Sequence, residues 1–346
     1  MIQVGIVGYG LSGQIFHGAL LETLPAFQVQ GIATSDSAKQ LLAAKHFPSA
    51  RVFTDADQLI SLKTIDLVVI ATPNRFHHAL ARKALLAGKH VVVEKPFTVS
   101  VAEAADLMET AQRTQRLLTV YHNRRFDSDF LTLKQVLSGG SLGEIRLFEA
   151  AYDRFRPDLN PDAWREQPQP GSGILYDLGS HLIDQALALF GMPESLFADI
   201  RSLRSGQADD HFEIILDYPQ LKVTLLSRPL VKEPLPRFAV HGTRGSYVKY
   251  GLDVQEAALR AGMRKKNDSW GQEPESQWGT LHTIDERRHV TALPGNYHAF
   301  YEALAAAILK GAPLPVTAQE GKQVIQLIEN ARESHERGCR VKIATS

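Results

Sequence analysis

From Ile2 to Tyr121 short apolar strands alternate with helical segments, and few folds accommodate that alternation. Ile2–Val7, Val29–Ala33, Leu67–Ala71, Val91–Glu94 and Leu117–Tyr121 read as strands, with Arg51–Phe53 a shorter one. They are nearly continuous runs of β-branched residues and leucine, the composition of strands covered on both faces by helices. Between them, Gln14–Leu24, Ala38–His46, His77–Ala87 and Ala102–Gln115 carry helical spacing, and Gly88 stands where a helix C-terminal glycine belongs. The pattern predicts an α/β fold built on a doubly wound parallel sheet.

After Tyr121 the pattern changes. A helix over Asp129–Leu137 ends at Gly139-Gly140, and longer segments of β character follow. These are Glu144–Tyr152, Phe212–Tyr218, Lys222–Ser227, Arg237–His241 and Ser246–Tyr250, the last two joined through a turn at Thr243-Arg244-Gly245. With a helix over Ser180–Phe190 on one face, they predict an α+β domain with an open, mostly antiparallel sheet. Residues 262–290 are polar and read as a long irregular excursion, and helices over Tyr297–Lys310 and Ala318–Glu336 close the chain. The division expected is a nucleotide-binding domain over 1–121 and a substrate-binding and oligomerisation domain over 122–346.

Composition narrows the partners. The 346 residues carry 38 Lys and Arg against 38 Asp and Glu, so no global field favours nucleic acid or a membrane surface. Cys339 is the single cysteine, which rules out an internal disulfide and a cysteine metal cluster and suits a reducing compartment. No apolar run approaches the roughly 18 residues of a membrane span. A first strand that begins at Ile2 leaves no room for a signal peptide, so a cytoplasmic location is expected. No two- or three-ligand zinc spacing is present, hence no metal is expected. His17, His46 and His282 read as ordinary surface or helix residues.

Gly8-Tyr9-Gly10-Leu11-Ser12-Gly13 follows the first strand and opens the first helix, the G-x-G-x-x-G pattern in the context that gives it meaning. The first glycine permits a tight turn, the second admits a pyrophosphate against the backbone, and the third lets helix and strand pack closely. Free N–H groups and the helix dipole then favour phosphate, so a Rossmann dinucleotide site is expected. At the end of the second strand, an NAD site usually carries a carboxylate for the ribose hydroxyls. Here Thr34 stands at that position, and Thr34, Ser35 and Lys39 suit a 2′-phosphate, which favours NADP. Asp36 keeps NAD possible, because a shift of one residue restores an acidic selector.

Lys95, in Val91-Val92-Val93-Glu94-Lys95-Pro96, ends an apolar strand, and ligands of such sheets bind at strand carboxyl ends. Ala71–His77, with Thr72, Pro73, Asn74 and His77, and Tyr121–Phe126, with Asn123 and Arg124, fall at two more strand ends. Each also reads as a turn followed by a capped helix. Asp177 and His181, four apart at the entry to the Ser180–Phe190 helix, share a face if helical geometry holds there, with Asp184 three further on. A histidine so placed can exchange an alcohol proton and an aspartate can orient it. The plainer reading is a capping aspartate and a buried histidine.

Taken together, Gly8–Gly13, Thr72-Pro73-Asn74 with His77, Gly88-Lys89-His90 leading to Glu94-Lys95-Pro96, and Asp177 with His181 resemble the Gfo/Idh/MocA family of nicotinamide-dependent oxidoreductases. The resemblance runs along nearly the whole chain. Tyr121–Phe126, Tyr152–Pro157, Trp164-Arg165-Glu166 and Ser172–Gln185 are most similar to the NADP-dependent scyllo-inositol dehydrogenases within it. The resemblance implies that Lys95 hydrogen-bonds the reacting hydroxyl, His181 is the general acid/base, and Asp177 orients substrate or histidine. It implies that Thr72, Pro73, Asn74, His77 and Glu94 line the cofactor, and that Asn123 and Arg124 reach substrate or nicotinamide. Tyr152, Arg154, Trp164 and Arg165 would shape the pocket for a cyclic polyol or sugar, the last two beside the cofactor as well. A homodimer or homotetramer is implied too. An aldose dehydrogenase is a near alternative, and a non-catalytic sensor is a distant one, since it would be expected to lose Lys95 or His181.

Overall fold

The computed structural model describes residues 1–160, 162–263 and 269–344, so part of the 262–290 stretch (264–268) lies outside the described residues. The first sheet holds β1 (Ile2–Val7), β2 (Phe27–Ala33), β3 (Arg51–Phe53), β4 (Leu67–Ile70), β5 (His90–Glu94) and β6 (Leu118–Tyr121). All five pairings are parallel, in the order β3-β2-β1-β4-β5-β6. Val68, Val69, Val91 and Val92 are wholly buried, as strands covered on both faces require. The strand order reverses between β1 and β4, which opens a crevice at their carboxyl ends.

One helix differs from expectation. The segment after the glycine loop begins at Ser12 rather than Gln14, and Ser12–Gly18 is wound as a π-helix before α-helix over Ala19–Leu21. Such wide turns recur at functional positions.

The second sheet has nine strands: β7 (Ile145–Asp153), β8 (Ser195–Arg201), β9 (His211–Asp217), β10 (Lys222–Arg228), β11 (Phe238–Gly242), β12 (Gly245–Lys249), β13 (Gly279–Thr283), β14 (Arg287–Val290) and β15 (Val341–Lys342). It is antiparallel except where β10 runs parallel to β7. The turn at Thr243-Arg244-Gly245 does join β11 to β12. β13 and β14 correct the reading of 262–290 as irregular throughout. They form a hairpin at the sheet edge, where backbone pairing rather than apolar alternation supplies the order. The helix Ser180–Phe190 buries Leu182, Ile183 and Ala186. Among the described residues, no helix is long and apolar enough to cross a membrane.

The chain forms two compact units that interleave along the sequence. One comprises Met1–Asn123, Gln255–Trp270 and Asn296–Lys322; the other comprises Arg124–Val254, Gly271–Gly295 and Gln323–Ser346. The return of the helix His298–Lys310 to the first unit has an aromatic cause. Phe300 and Tyr301 set their rings 4.8 and 5.9 Å from that of Tyr121, and Tyr301 also meets Phe27 at 5.6 Å.

Candidate active site

In the first unit the carboxyl ends of β1, β4, β5 and β6 are neighbours, so their loops gather over one stretch of sheet. Gly8 has φ +95°, and a Cβ there would stand 2.4 Å from the Ala71 carbonyl oxygen. A Cβ at Gly13 would stand 2.1 Å from the Gly8 carbonyl oxygen, so strand, turn and helix close up only without side chains. Gly10 is the opposite case: a Cβ there would meet nothing within 4 Å. The backbone at Gly10 therefore borders open space, the cradle that a pyrophosphate needs. Tyr9 turns inward, with its hydroxyl 3.0 Å from His46 Nδ1 and its carbonyl accepting from Gln14 Nε2 at 2.8 Å. Leu11 is half exposed.

At the end of β2, Asp36 caps the helix Ser37–His46. Its carboxylate accepts from Ala38 N (3.0 Å) and Lys39 N (3.1 Å) and pairs with Lys39 Nζ at 2.7 Å. The Lys39 side-chain hydrogen bond is the first cause that holds its carboxyl below the ordinary range. Thr34 is half-buried and Ser35 exposed.

His77 is fully buried, with Nδ1 2.9 Å from the Pro96 carbonyl oxygen and Nε2 3.0 Å from that of Thr72. Burial pushes its pKa down, so a neutral ring donates to one carbonyl and ties the β4 loop to the β5 loop. The ring thereby fastens the loop that carries Thr72 to the loop that follows Lys95. Asn74 is buried, Pro73 is half-buried, and the Thr72 hydroxyl oxygen is buried with no hydrogen-bond partner among the described residues. An orphaned polar atom beside the cradle suits a ligand that would satisfy it.

Glu94 ends β5 and is buried. One oxygen accepts from Ser12 Oγ and from His17 Nε2 (3.0 Å), and the other from Lys95 N at 2.9 Å. Burial alone would raise its pKa, but the hydrogen bond and charge of His17, with Ser12 and Lys95, outweigh that and hold it at about 2. His17, read from sequence as an ordinary helix residue, is in fact wholly buried. Lys95 is half-buried at the strand end, and Asn123 is buried at the end of β6.

In the second unit, Leu175–Gly179 is a π-helix that runs directly into the helix Ser180–Phe190. The helix is thus continuous through Asp177 and His181, which meets the condition for a shared face. Asp177 Oδ1 lies 3.4 Å from Arg165 Nε, and His181 is buried. Arg165 stacks on Trp164, its guanidinium carbon 4.7 Å from the ring. Burial pushes Arg154 down, while Asp177 counters it and Arg124 and Tyr152 lie within electrostatic reach. Arg124, Tyr152, Arg154 and Asp177 therefore share one neighbourhood.

Two guanidinium groups lie over the Tyr152 ring, that of Arg124 at 5.4 Å and that of Arg237 at 4.0 Å, and the hydroxyl accepts from Arg237 Nη2 at 3.0 Å. Burial raises its pKa to about 12 against the opposing pull of both arginines, so it is a neutral wall rather than a proton donor. Asp184 takes a bidentate fork from Arg125, and Gln185 donates to the Arg124 carbonyl at 3.0 Å while accepting from Arg237. Arg237 and Gln185 were not foreseen. The sequence signal for Arg237 is a basic residue at the head of an otherwise apolar strand.

Comparison with known proteins agrees with this layout. Residues 2–122 match the model of an oxidoreductase family NAD-binding Rossmann fold, and residues 134–343 match that of the Gfo/Idh/MocA oxidoreductase C-terminal alpha/beta domain. The Escherichia coli (strain K12) oxidoreductase YdgJ is 46% identical over 96% of both chains. The Bacillus subtilis (strain 168) scyllo-inositol 2-dehydrogenase (NADP(+)) IolW is 42% identical over 96% of this chain and 93% of its own. The solved oxidoreductase yvaA from Bacillus subtilis superposes with a TM-score of 0.93 at 40% identity, covering 99% of this chain and all of that one.

Proposed function

The chain belongs to the Gfo/Idh/MocA family of oxidoreductases, and from that premise we propose that it moves hydride reversibly between a secondary alcohol of a cyclic polyol, scyllo-inositol-like, and NADP. The observation that carries the reading is Lys95 at the end of β5, its backbone held by the same carboxylate that holds the glycine-loop helix. The polyol and the phosphorylated cofactor are supported by likeness to a relative that bears both in its name.

When bound, the nicotinamide takes up or returns the hydride. The glycine loop and Thr72 hold the dinucleotide, and Thr34, Ser35 and Lys39 meet the 2′-phosphate. Asp36 caps the following helix and pairs with Lys39, so a 2′-phosphate would draw Lys39 from that pair, and NAD stays the alternative cofactor. Lys95 Nζ donates to the reacting hydroxyl and steadies the oxygen as its proton leaves. His181 accepts that proton and returns it in the reverse direction, while Asp177 orients ring or substrate. Help of this kind supplies about 10²–10⁴-fold in rate. Arg124, Arg154, Trp164 and Arg165 offer donors and a ring face to a ligand dense in hydroxyls, with Tyr152 as the wall behind.

Inositol isomers and aldoses, tested with NADP and NAD in parallel for the absorbance of reduced nicotinamide, check this reading. Turnover on inositol with NADP supports it. Turnover on aldoses alone favours the sugar dehydrogenase, and no turnover on any of them refutes both.

A further inference from the structure

His17 sits on the first turns of the glycine-loop helix and points wholly into the protein. Its Nε2 lies 3.0 Å from Glu94 Oε1, its Nδ1 lies 2.5 Å from the Tyr301 hydroxyl, and its ring rests 4.6 Å from that of Tyr121. Three chain segments far apart in sequence thus brace one imidazole. Glu94 in turn serves three donors: His17, the Ser12 hydroxyl at the head of the glycine-loop helix, and the backbone N–H of Lys95. A carboxylate that is 10% exposed cannot rely on water for its remaining lone pairs, so its orientation depends on these donors.

We propose that His17 is a positioning residue that aims the Glu94 carboxylate and thereby locks the cofactor-binding loop and the reacting lysine into one geometry. The inference rests on the reading of Lys95 as the group that meets the alcohol. Remove the imidazole, and Glu94 loses its deepest donor. The carboxylate then takes up a proton or rotates, and Ser12 and Lys95 N lose a shared acceptor together. The coupling therefore predicts a joint loss in cofactor binding and in turnover, where a purely structural histidine would affect folding alone.

The test is a fluorescence titration of NADPH without substrate, together with kcat on the preferred polyol. His17→Ala should weaken NADPH binding and lower kcat by about tenfold each, as loss of a hydrogen bond to a charged group implies. His17→Gln, whose amide can still donate to Glu94, should recover most of both. Lys95→Met should lose kcat and keep NADPH affinity. If it kept kcat, the catalytic reading would fail while the binding half of the His17 claim still stood. In a cycle with Ser12→Ala, the double variant should bind NADPH no worse than the weaker single variant. That cycle, run with His17→Phe, which fills the ring's space and donates nothing to Glu94, decides the matter even if His17→Ala does not fold. Additive losses, or a folded His17→Ala with wild-type affinity and kcat, would overturn the inference.

Discussion

Arg125→Ala should be among the costly single changes in the second unit, and its cost can be worked from the geometry. Arg125 sends Nε to Asp184 Oδ2 at 2.9 Å and Nη2 to Asp184 Oδ1 at 2.7 Å, a two-point fork. The Asp184 side chain is 2% exposed and that of Arg125 is 13%. Truncation takes both bonds of that fork from a buried carboxylate, and breaking a buried pair usually costs about 3–5 kcal/mol. Arg125→Lys keeps the charge but not the fork and should recover only part of that. Replacing both partners together, Arg125→Met with Asp184→Leu, should cost far less than Arg125→Ala, because no charge is left unpaired. Urea denaturation followed by circular dichroism measures each, with an unchanged slope required for the comparison. The helix concerned carries His181, so kcat should fall as well. A loss below about 1 kcal/mol for Arg125→Ala would show that the pair is solvated in solution and that this reasoning is wrong.

Two further outcomes follow from the first unit. Glu94 has a folded pKa of about 2 against an ordinary 4.5, so its contribution is present above the ordinary value and is lost as pH falls towards 2. That is up to about 3 kcal/mol, seen as acid sensitivity that Glu94→Gln should flatten; an equal acid slope in both proteins would contradict the pairing. Asp36→Asn keeps a good helix cap and removes the charge, so the preference for NADP over NAD should stay within about fivefold of wild type. A selective collapse of NAD turnover would make Asp36 a ribose ligand after all.

The sheet that carries the cofactor loops was legible because its strands are buried on both faces and announce themselves as apolar runs. Lys95 was legible for the same reason, as a charge that interrupts such a run. β8 (Ser195–Arg201) is legible in part, since its buried Leu196, Ala198 and Ile200 alternate with more exposed neighbours. β13 and β14 left little: Arg287 and Arg288 are exposed, and a hairpin at a sheet edge is specified by backbone pairing. His17 could not be assigned locally, because its partners are Glu94 and Tyr301, 77 and 284 residues away. The only hint is a histidine within Ile15-Phe16-His17-Gly18-Ala19-Leu20-Leu21, an apolar setting in which a polar ring needs a partner. The interleaving of the two units is not written locally either, since Phe300 and Tyr301 find their aromatic neighbours only in three dimensions.

Lys95→Met gives the most direct measurement, read as kcat on the preferred polyol beside the dissociation constant for NADPH. The account predicts that kcat falls by at least about a hundredfold while NADPH binding stays near wild type. Near-normal turnover in that variant would contradict it.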